Sequence, residues 1–301
     1  MIVDSSHNMN TVAGNTDGGR AANLVADVES DLPARRPARV IASVVSHGHG
    51  ALLAALLDDL MAALGPRDLL VVTLNIPEAG GFDRRRWPRA EWIDNTAPKG
   101  FGANHNHALL GRDADWVAII NPDIRMASDV LDRLVASGGG DIDIAMVAPL
   151  VVDRDGVEQD SVRALLTPSS LAGRMRGRMS DARGRAGPVS RRRDWIAGML
   201  LLVRGDAFAV VRGFDERYFL YCEDMDFSIR LQLAGYSLRH DRGIVVVHDA
   251  RRDSHHNWSH FRLHVASLLR SWASPALWRY LGGSHNRLAV AERPLQGDRD
   301  A

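Results

Sequence analysis

From residue 39 onward, short apolar runs alternate with longer stretches of helical spacing. "VIASVV" is a β-branched run of the kind that forms a buried strand, and "GALLAALLDDLMAAL" follows with helix formers. "GPRD" punctuates, and "LLVVTLN" is the next strand. "EWID" predicts a short strand, "GFGANHNHALLG" a loop entering a helix, and "WVAII" another buried strand. "SDVLDRLVAS" predicts a helix with Ser128 as its N-cap, and "IAMVAPLVV" is strand-like again. This order predicts an α/β fold: a central, mostly parallel sheet flanked by helices on both faces. In such sheets ligands sit beyond the carboxyl ends of the strands. That rule singles out "SHGH", "NIPEAG" and "NPD", which follow the first strand, the second strand and "WVAII".

The second half is less regular. "DWIAGMLLLVR" predicts a strand and "GDAFAVV" a short helix, and "GFDERYFLY" is a turn leading through aromatics into "CEDMDFSIRLQLAG". The last of these predicts a helix ending at Gly235, with Met225, Ile229 and Leu233 as an apolar stripe. "IVVVHD" predicts a final short strand, and "WSHFRLHVASLLRSWASPALWRYL" one or two C-terminal helices. Residues 1–38 and 284–301 read as polar tails, 39–260 as the principal domain and 261–283 as appended helices. Residues 171–193 hold eight Arg, one Asp and four Gly, the composition of a basic loop.

Lys plus Arg and Asp plus Glu each total 37, so overall charge gives no ground for a nucleic-acid partner, and none is expected. The single cysteine, Cys222, excludes an internal disulfide and a thiolate zinc site, and fits a reducing cytoplasm. The first 38 residues lack an apolar signal core, and no apolar run approaches the roughly 20 residues that span a bilayer. The expected location is cytoplasmic, with peripheral contact at the inner face of the membrane through residues 171–193.

Two acidic features carry candidate chemistry. Glu223, Asp224 and Asp226 crowd the start of the predicted helix, where the helix dipole favours the ionised form. Carboxylates set among Phe and Tyr are costly unless partnered or used, although spacing alone leaves a solvated helix N-terminus as the alternative. Asp123 closes "NPD", where Pro122 ends a buried strand and holds the side chain at the ligand edge of the sheet. One such carboxylate, with substrate phosphates, suits a hard divalent cation. A plain Asx-type turn is the alternative.

Taken jointly, "NPD", then "WIAGMLLLVRGDAF", "GFDERYFLYCEDMDFSIRLQLAGYSL" and "VVVHD" resemble family 2 glycosyltransferases of the GT-A fold. The nearest likeness is to the rhamnosyltransferase-like branch of bacterial surface polysaccharide synthesis. "DNTAPKGFGANHNHAL", "DSVRALLTP" and "RRDSHHNWSHFRLHVASLLR" are similar to other segments of that branch, and the resemblance covers about residues 39 to 270. It implies that Asp123 holds a Mg²⁺ or Mn²⁺ ion on the donor diphosphate, with His248 beside it. It also implies that Asp224 is the general base, with Glu223 its neighbour in the acceptor site. Ser46, His47, Asn75, Asn121, Gly100 and Asn104 would face the donor, and Arg252, Ser254 and His255 the active face. Here Asn121 replaces the first acid of a full DXD motif, and Asn75 stands where many relatives carry Asp.

The implied reaction is inverting transfer of a sugar, such as rhamnose, from a dTDP-, UDP- or GDP-linked donor to a glycan or lipid-linked acceptor. The departures at Asn121 and Asn75 keep a non-catalytic nucleotide-sugar-binding protein of the same fold as the alternative. His260 and His264, spaced by four, offer a zinc-hydrolase reading, but no Glu between them supplies its base.

Overall fold

The structure is a computed structural model and describes residues 37–78, 82–175, 195–249 and 258–283. Residues 1–36 and 284–301 of the two expected tails, nearly all the arginines of 171–193, residues Arg252, Ser254 and His255, and the side chain of His260 lie outside the described residues, while Ala38 begins the first strand rather than ending a tail.

The strands are β1 (Ala38–His47), β2 (Leu69–Ile76), β3 (Ala90–Asp94), β4 (Ala114–Ile120), β5 (Ile124–Arg125), β6 (Ile144–Val152), β7 (Val162–Arg163), β8 (Trp195–Ile196), β9 (Leu200–Arg204) and β10 (Ser237–His248). The helices are α1 (Ala51–Ala63), α2 (Phe101–Leu109), α3 (Val130–Gly139), α4 (Pro168–Met175), α5 (Gly205–Val210), α6 (Glu223–Leu233), α7 (Trp258–Ala273) and α8 (Pro275–Gly282). Eight strands form one sheet in the order β3-β2-β1-β4-β9-β6-β10-β5, and β7 and β8 pair separately. The pairs β2–β3, β1–β2, β1–β4 and β6–β10 are parallel, while β9 runs antiparallel to both neighbours and β5 antiparallel to β10.

Side-chain alternation along the central strands builds a core on each face of the sheet. Val40, Ala42 and Val44 of β1 pack with Leu53, Leu56, Leu57 and Leu60 of α1. Ile41 of β1 and Val117 and Ile119 of β4 face the opposite cluster, with Phe208, Phe214 and Phe227. Burial on both faces explains why these strands read as continuous apolar runs. The chain winds outward from β1 through β2 to β3, then returns to β4 on the other side of β1. The carboxyl ends of β1 and β4 therefore flank a topological switch point, the usual ligand crevice of an open α/β sheet.

Three local expectations change. Ser128 does not cap α3: Asp129 occupies the cap position, and no side chain there bonds a helix N–H. "DWIAGMLLLVR" is two strands, β8 and β9, separated by a turn at residues 197–199. The last strand is 12 residues long, because the polar stretch from Ser237 to Asp241 pairs with β6 before a bulge between Asp241 and Val245. The C-terminal segment is two helices, divided where Ser274 accepts from Ala276 N–H ahead of α8, with Pro275 at its start.

Candidate active site

Asn121, Pro122 and Asp123 form a turn at the end of β4, in which Ile124 N–H donates to Asn121 O at 3.2 Å. β5 then pairs Ile124 with His248, the last residue of β10, and Asp249 N–H donates to Asp123 O at 2.7 Å. This pairing sets His248 Nε2 3.1 Å from Asp123 Oδ2. Nδ1 of the same ring lies 2.7 Å from Gln159 Oε1, a contact that orients the ring with Nε2 toward the carboxylate. A carbonyl fixing the far nitrogen is how metal-ligating histidines are commonly oriented. Asp123 Oδ1 is buried and has no hydrogen-bond partner among the described residues. Burial would raise the Asp123 pKa, but His248, with His49 further off, outweighs it and holds the carboxyl below the usual carboxylate range.

These two side chains fit a divalent cation. An orphaned buried carboxylate oxygen and an oriented imidazole supply two ligands. Among the described residues no group of three or more His, Cys, Asp or Glu is placed to hold a metal. The remaining ligands would then come from phosphate and water, as Mg²⁺ generally prefers.

The second carboxylate group begins α6. Its approach is strained: Tyr221 and Cys222 are consecutive non-glycine residues in the left-handed region, with φ of 72° and 65°. Such conformations each cost on the order of 1–3 kcal/mol and persist only where surrounding contacts impose them. The helix that follows is packed on two sides, with Met225 and Ile229 in one core cluster and Phe227 and Leu231 in the other. The expected 225/229/233 stripe is therefore only half of its buried surface. Asp226 pairs with Arg230 at 2.6 Å. Phe227 and Tyr218 are core side chains, while Phe219 is exposed, so the aromatics that stay outside the core near the carboxylates are Phe219 and Tyr221.

Asp224 turns away from that pair. Its Oδ2 accepts from Gly198 N–H at 3.0 Å and its Oδ1 from Met225 N–H at 2.8 Å. One residue beyond Gly198, the Met199 carbonyl accepts from Asn121 N–H at 2.9 Å. The dipeptide Gly198-Met199 thus lies between the NPD turn and Asp224 and ties both to the same end of the sheet.

Burial pushes Glu223 up to about 8, and the charge of Asp224 pushes the same way. Glu223 Oε2 has no hydrogen-bond partner among the described residues. Burial also raises Asp224, against the two N–H bonds and the nearby Arg163, so the dipole expected from sequence is not the dominant influence. Adjacent carboxyls cannot both ionise cheaply. With Asp224 the better solvated by hydrogen bonds, Glu223 is the member that keeps a proton near neutral pH.

At the carboxyl end of β1, Ser46 is fully buried; its hydroxyl donates to Glu78, which also accepts from Gly50 N–H at 2.7 Å, and lies 3.3 Å from His49 Nδ1. Burial lowers the His49 pKa, with Asp123 and Glu78 opposing. His47 lies 3.2 Å from the Asn75 amide. Asn75 Oδ1 accepts from Lys99 N–H and from Asn95, each at 2.8 Å, while its amide donates to Lys99 O at 2.9 Å. Asn104 is buried; its amide donates to Gly100 O at 3.0 Å and its Oδ1 accepts from Asn95 at 2.6 Å. Asn75 and Asn104 therefore hold the loop before α2. Gly100 carries that loop against the acidic half: a Cβ there would lie 2.7 Å from Phe219 O and 2.8 Å from Phe219 Cα.

Gln159 and Gly198 escape a reading of motifs, while Glu78 and His49 lie in the "NIPEAG" and "SHGH" segments without being singled out there. Gly198 leaves a trace, because an isolated glycine inside an apolar strand pattern signals close backbone approach.

No protein-family model matches the chain. It is 30% identical over 229 residues to N-acetylglucosaminyl-diphospho-decaprenol L-rhamnosyltransferase of Mycobacterium tuberculosis, covering 66% of this chain and 74% of that protein. The chain belongs to the family 2 glycosyltransferases, in their rhamnosyltransferase-like branch. This glycosyltransferase is also 29% identical over 251 residues to Rhamnosyltransferase WbbL of Escherichia coli K12, covering 75% of this chain and 90% of WbbL. In fold, it is similar to the mannosyltransferase PcManGT from Pyrobaculum calidifontis, solved in complex with GDP-Man and Mn²⁺. The TM-score is 0.52 at 17% identity, over 83% of this chain and 71% of that one. The glycosyltransferase therefore has the GT-A architecture implied by its sequence, and the enzyme reading stands over the binding-protein one.

Proposed function

We propose that this glycosyltransferase moves rhamnose from a nucleoside diphosphate donor to a hydroxyl of a lipid-linked glycan, by a single inverting displacement. The observation that carries the reading is the bridge from Asn121 through Met199 and Gly198 to Asp224. It supports a site in which one carboxylate serves the leaving group and the other the attacking hydroxyl.

Asp123 and His248 would hold a divalent cation, which when bound neutralises charge on the departing diphosphate. Ser46, His47 and Asn75, at the ends of β1 and β2, border the place for the nucleoside. Asp224 takes the proton of the acceptor hydroxyl as that oxygen bonds to the anomeric carbon. A carboxylate of ordinary basicity suffices, because the hydroxyl becomes acidic as its bond to the sugar forms, and burial raises the basicity of Asp224 further. Glu223, still protonated, adds no second negative charge beside the base and offers a hydrogen-bond donor to the acceptor. The arginines of 171–193 would attract the diphosphate of a lipid-linked acceptor or an anionic lipid surface. The lipid-linked acceptor and the rhamnosyl donor follow the printed activity of the mycobacterial relative.

The test is a pair of variants assayed with a panel of nucleotide sugars that includes dTDP-rhamnose. Asp224→Asn is expected to lower kcat by about two orders of magnitude or more while donor binding survives. Asp123→Ala is expected to abolish the strengthening of donor binding by Mn²⁺, read by calorimetry. Near-parental turnover in Asp224→Asn removes the base; Mn²⁺-dependent donor binding that persists in Asp123→Ala removes the metal assignment.

A further inference from the structure

We propose that the outer face of α7 and α8 docks on an anionic lipid bilayer. Phe261, Val265 and Leu269 recur every four residues along α7 and are 57%, 38% and 56% exposed, with Trp278 of α8 at 52%. Spacing by four puts the first three on one stripe of the helix. Trp278 donates its indole N–H to Trp272 O at 2.6 Å, which satisfies the polar edge of the ring internally while half of its surface stays outside. Large side chains in a row of this kind mark an interaction surface rather than scattered exposed residues.

Charge selects the partner. Residues 258–283 contain Arg262, Arg270 and Arg279 and not one Asp or Glu, in a chain whose acidic and basic residues total 37 each. Beside the stripe, a shallow groove of about 370 Å³ is lined by Arg217 and Arg270 with Leu269, Ala273 and Pro275. Arg217 is engaged with Asp215, whereas Arg270 has no carboxylate partner among the described residues. Arginines interleaved with Phe, Leu and Trp along α7 and α8 are the composition of a segment that lies in a headgroup layer. A second copy of the chain is a poor occupant, because a two-fold contact would set this acid-free surface against itself.

The same helix supports the acceptor half of the site. Ser267 of α7 donates its hydroxyl to Leu220 O at 2.7 Å, and the His264 ring packs edge-on against Tyr221 at 5.0 Å. Docking through the outer side of α7 would hold the loop that carries Glu223 and Asp224 close to the membrane, where a lipid-linked hydroxyl is presented. That purpose rests on the lipid-linked acceptor proposed above; the docking itself does not.

The experiment is co-sedimentation of the full chain with vesicles of phosphatidylcholine alone or mixed with phosphatidylglycerol. The parent is expected to bind the mixed vesicles, and to be released by high salt. Replacing Arg262, Arg270 and Arg279 by Glu should weaken partition roughly a hundredfold. Phe261→Ser with Leu269→Ser should weaken it roughly tenfold or more. Calorimetric donor binding should be unchanged in both variants, which excludes misfolding as the cause. The proposal is overturned if the parent ignores phosphatidylglycerol or if both variants partition like the parent. It is also overturned if light scattering shows a parental dimer that the Phe261/Leu269 variant dissociates. Failure of sugar transfer by a parent that still binds vesicles would instead count against the proposed reaction and leave the docking in place.

Discussion

The amide-lined region around Asn75 and Asn104 and the acidic region around Glu223 and Asp224 solve the same problem in opposite ways. Around Asn75, Asn95, Lys99 and Asn104, neutral amides and backbone groups bond one another, so the Asn75 and Asn104 side chains are satisfied before any ligand arrives. Around Glu223 and Asp224, carboxyls are packed among apolar side chains, Glu223 Oε2 has no hydrogen-bond partner among the described residues, and two preceding residues sit in left-handed backbone. The first arrangement makes a rigid frame at little cost. The second stores unfavourable desolvation and strain where a reaction would use them. A site of this kind needs the frame to hold the strained part, and the two meet at Gly100 against Phe219.

Breaking that meeting point should have the largest effect. Gly100→Ala places a methyl group 2.7 Å from a backbone oxygen of residue 219, which no rotamer change relieves. The expected loss of stability is about 1–3 kcal/mol. Turnover should fall by about a hundredfold, because Phe219 leads into the strained turn that aims Asp224 and small misplacements are costly. Gly139→Ala, at the end of α3 with nothing within 4 Å of the new methyl, is the control and should be neutral or slightly stabilising. Thermal melts and steady-state rates on both variants separate the clash from any general effect of replacing glycine. Equal behaviour of the two would mean that the two regions are not coupled there.

Much of the frame was legible because its strands are buried on both faces and announce themselves as apolar runs. The runs beginning at Val40, Leu69 and Trp116, and the NPD that closes the third, needed only local reading. The acidic motif was legible as chemistry but not as geometry. Nothing local says that Phe227 is core while Phe219 is exposed, or that Met225 and Phe227 face different clusters of one helix. The turn at Ala197-Gly198-Met199 was hidden inside an apolar stretch, because its role is to serve Asn121 and Asp224, which lie far away in the chain. The start of β10 was missed for a related reason: Ser237 to Asp241 is polar, and its pairing with β6 overrides a weak strand propensity. Gln159 became visible only as a partner of His248, and the role of Glu78 inside "NIPEAG" only as a partner of Ser46.

The second-largest effect concerns the stored cost in the acidic half. Glu223 titrates near 8 in the folded chain against 4.5 for an unperturbed group. Between those values the unfolded chain has released the proton and the folded chain has not. Stability therefore falls as pH rises across that window, and the loss is complete above about 8. Glu223→Gln keeps the shape and cannot ionise. It should raise the melting temperature at about pH 9 by several degrees, leave it near parental at about pH 4, and flatten the slope between. If the variant melts parallel to the parent at every pH, the buried carboxyl is not the seat of that cost. The same variant sharpens the chemistry: should a falling limb of the rate profile near pH 8 vanish with Gln, the proton on Glu223 serves the reaction as well as the fold.

The smallest effect probes the frame itself. Asn75→Asp is nearly isosteric and keeps the oxygen that receives Lys99 N–H and the Asn95 amide. It removes the donor that reaches Lys99 O at 2.9 Å and puts a carboxylate oxygen against that carbonyl instead. The loop before α2 loses one hydrogen bond and gains a repulsion, a cost of about 1–2 kcal/mol. Because the disturbed residues lie beside Gly100 and not in the NPD turn, donor affinity should weaken about tenfold while the dependence on Mn²⁺ stays as in the parent. Calorimetry with dTDP-rhamnose, with and without Mn²⁺, reads both quantities at once. A neutral frame predicts that outcome, since its contribution is shape. Tighter donor binding in the Asp variant would mean instead that position 75 touches the nucleoside directly, and the satisfied amide network would then be a resting arrangement that the ligand replaces.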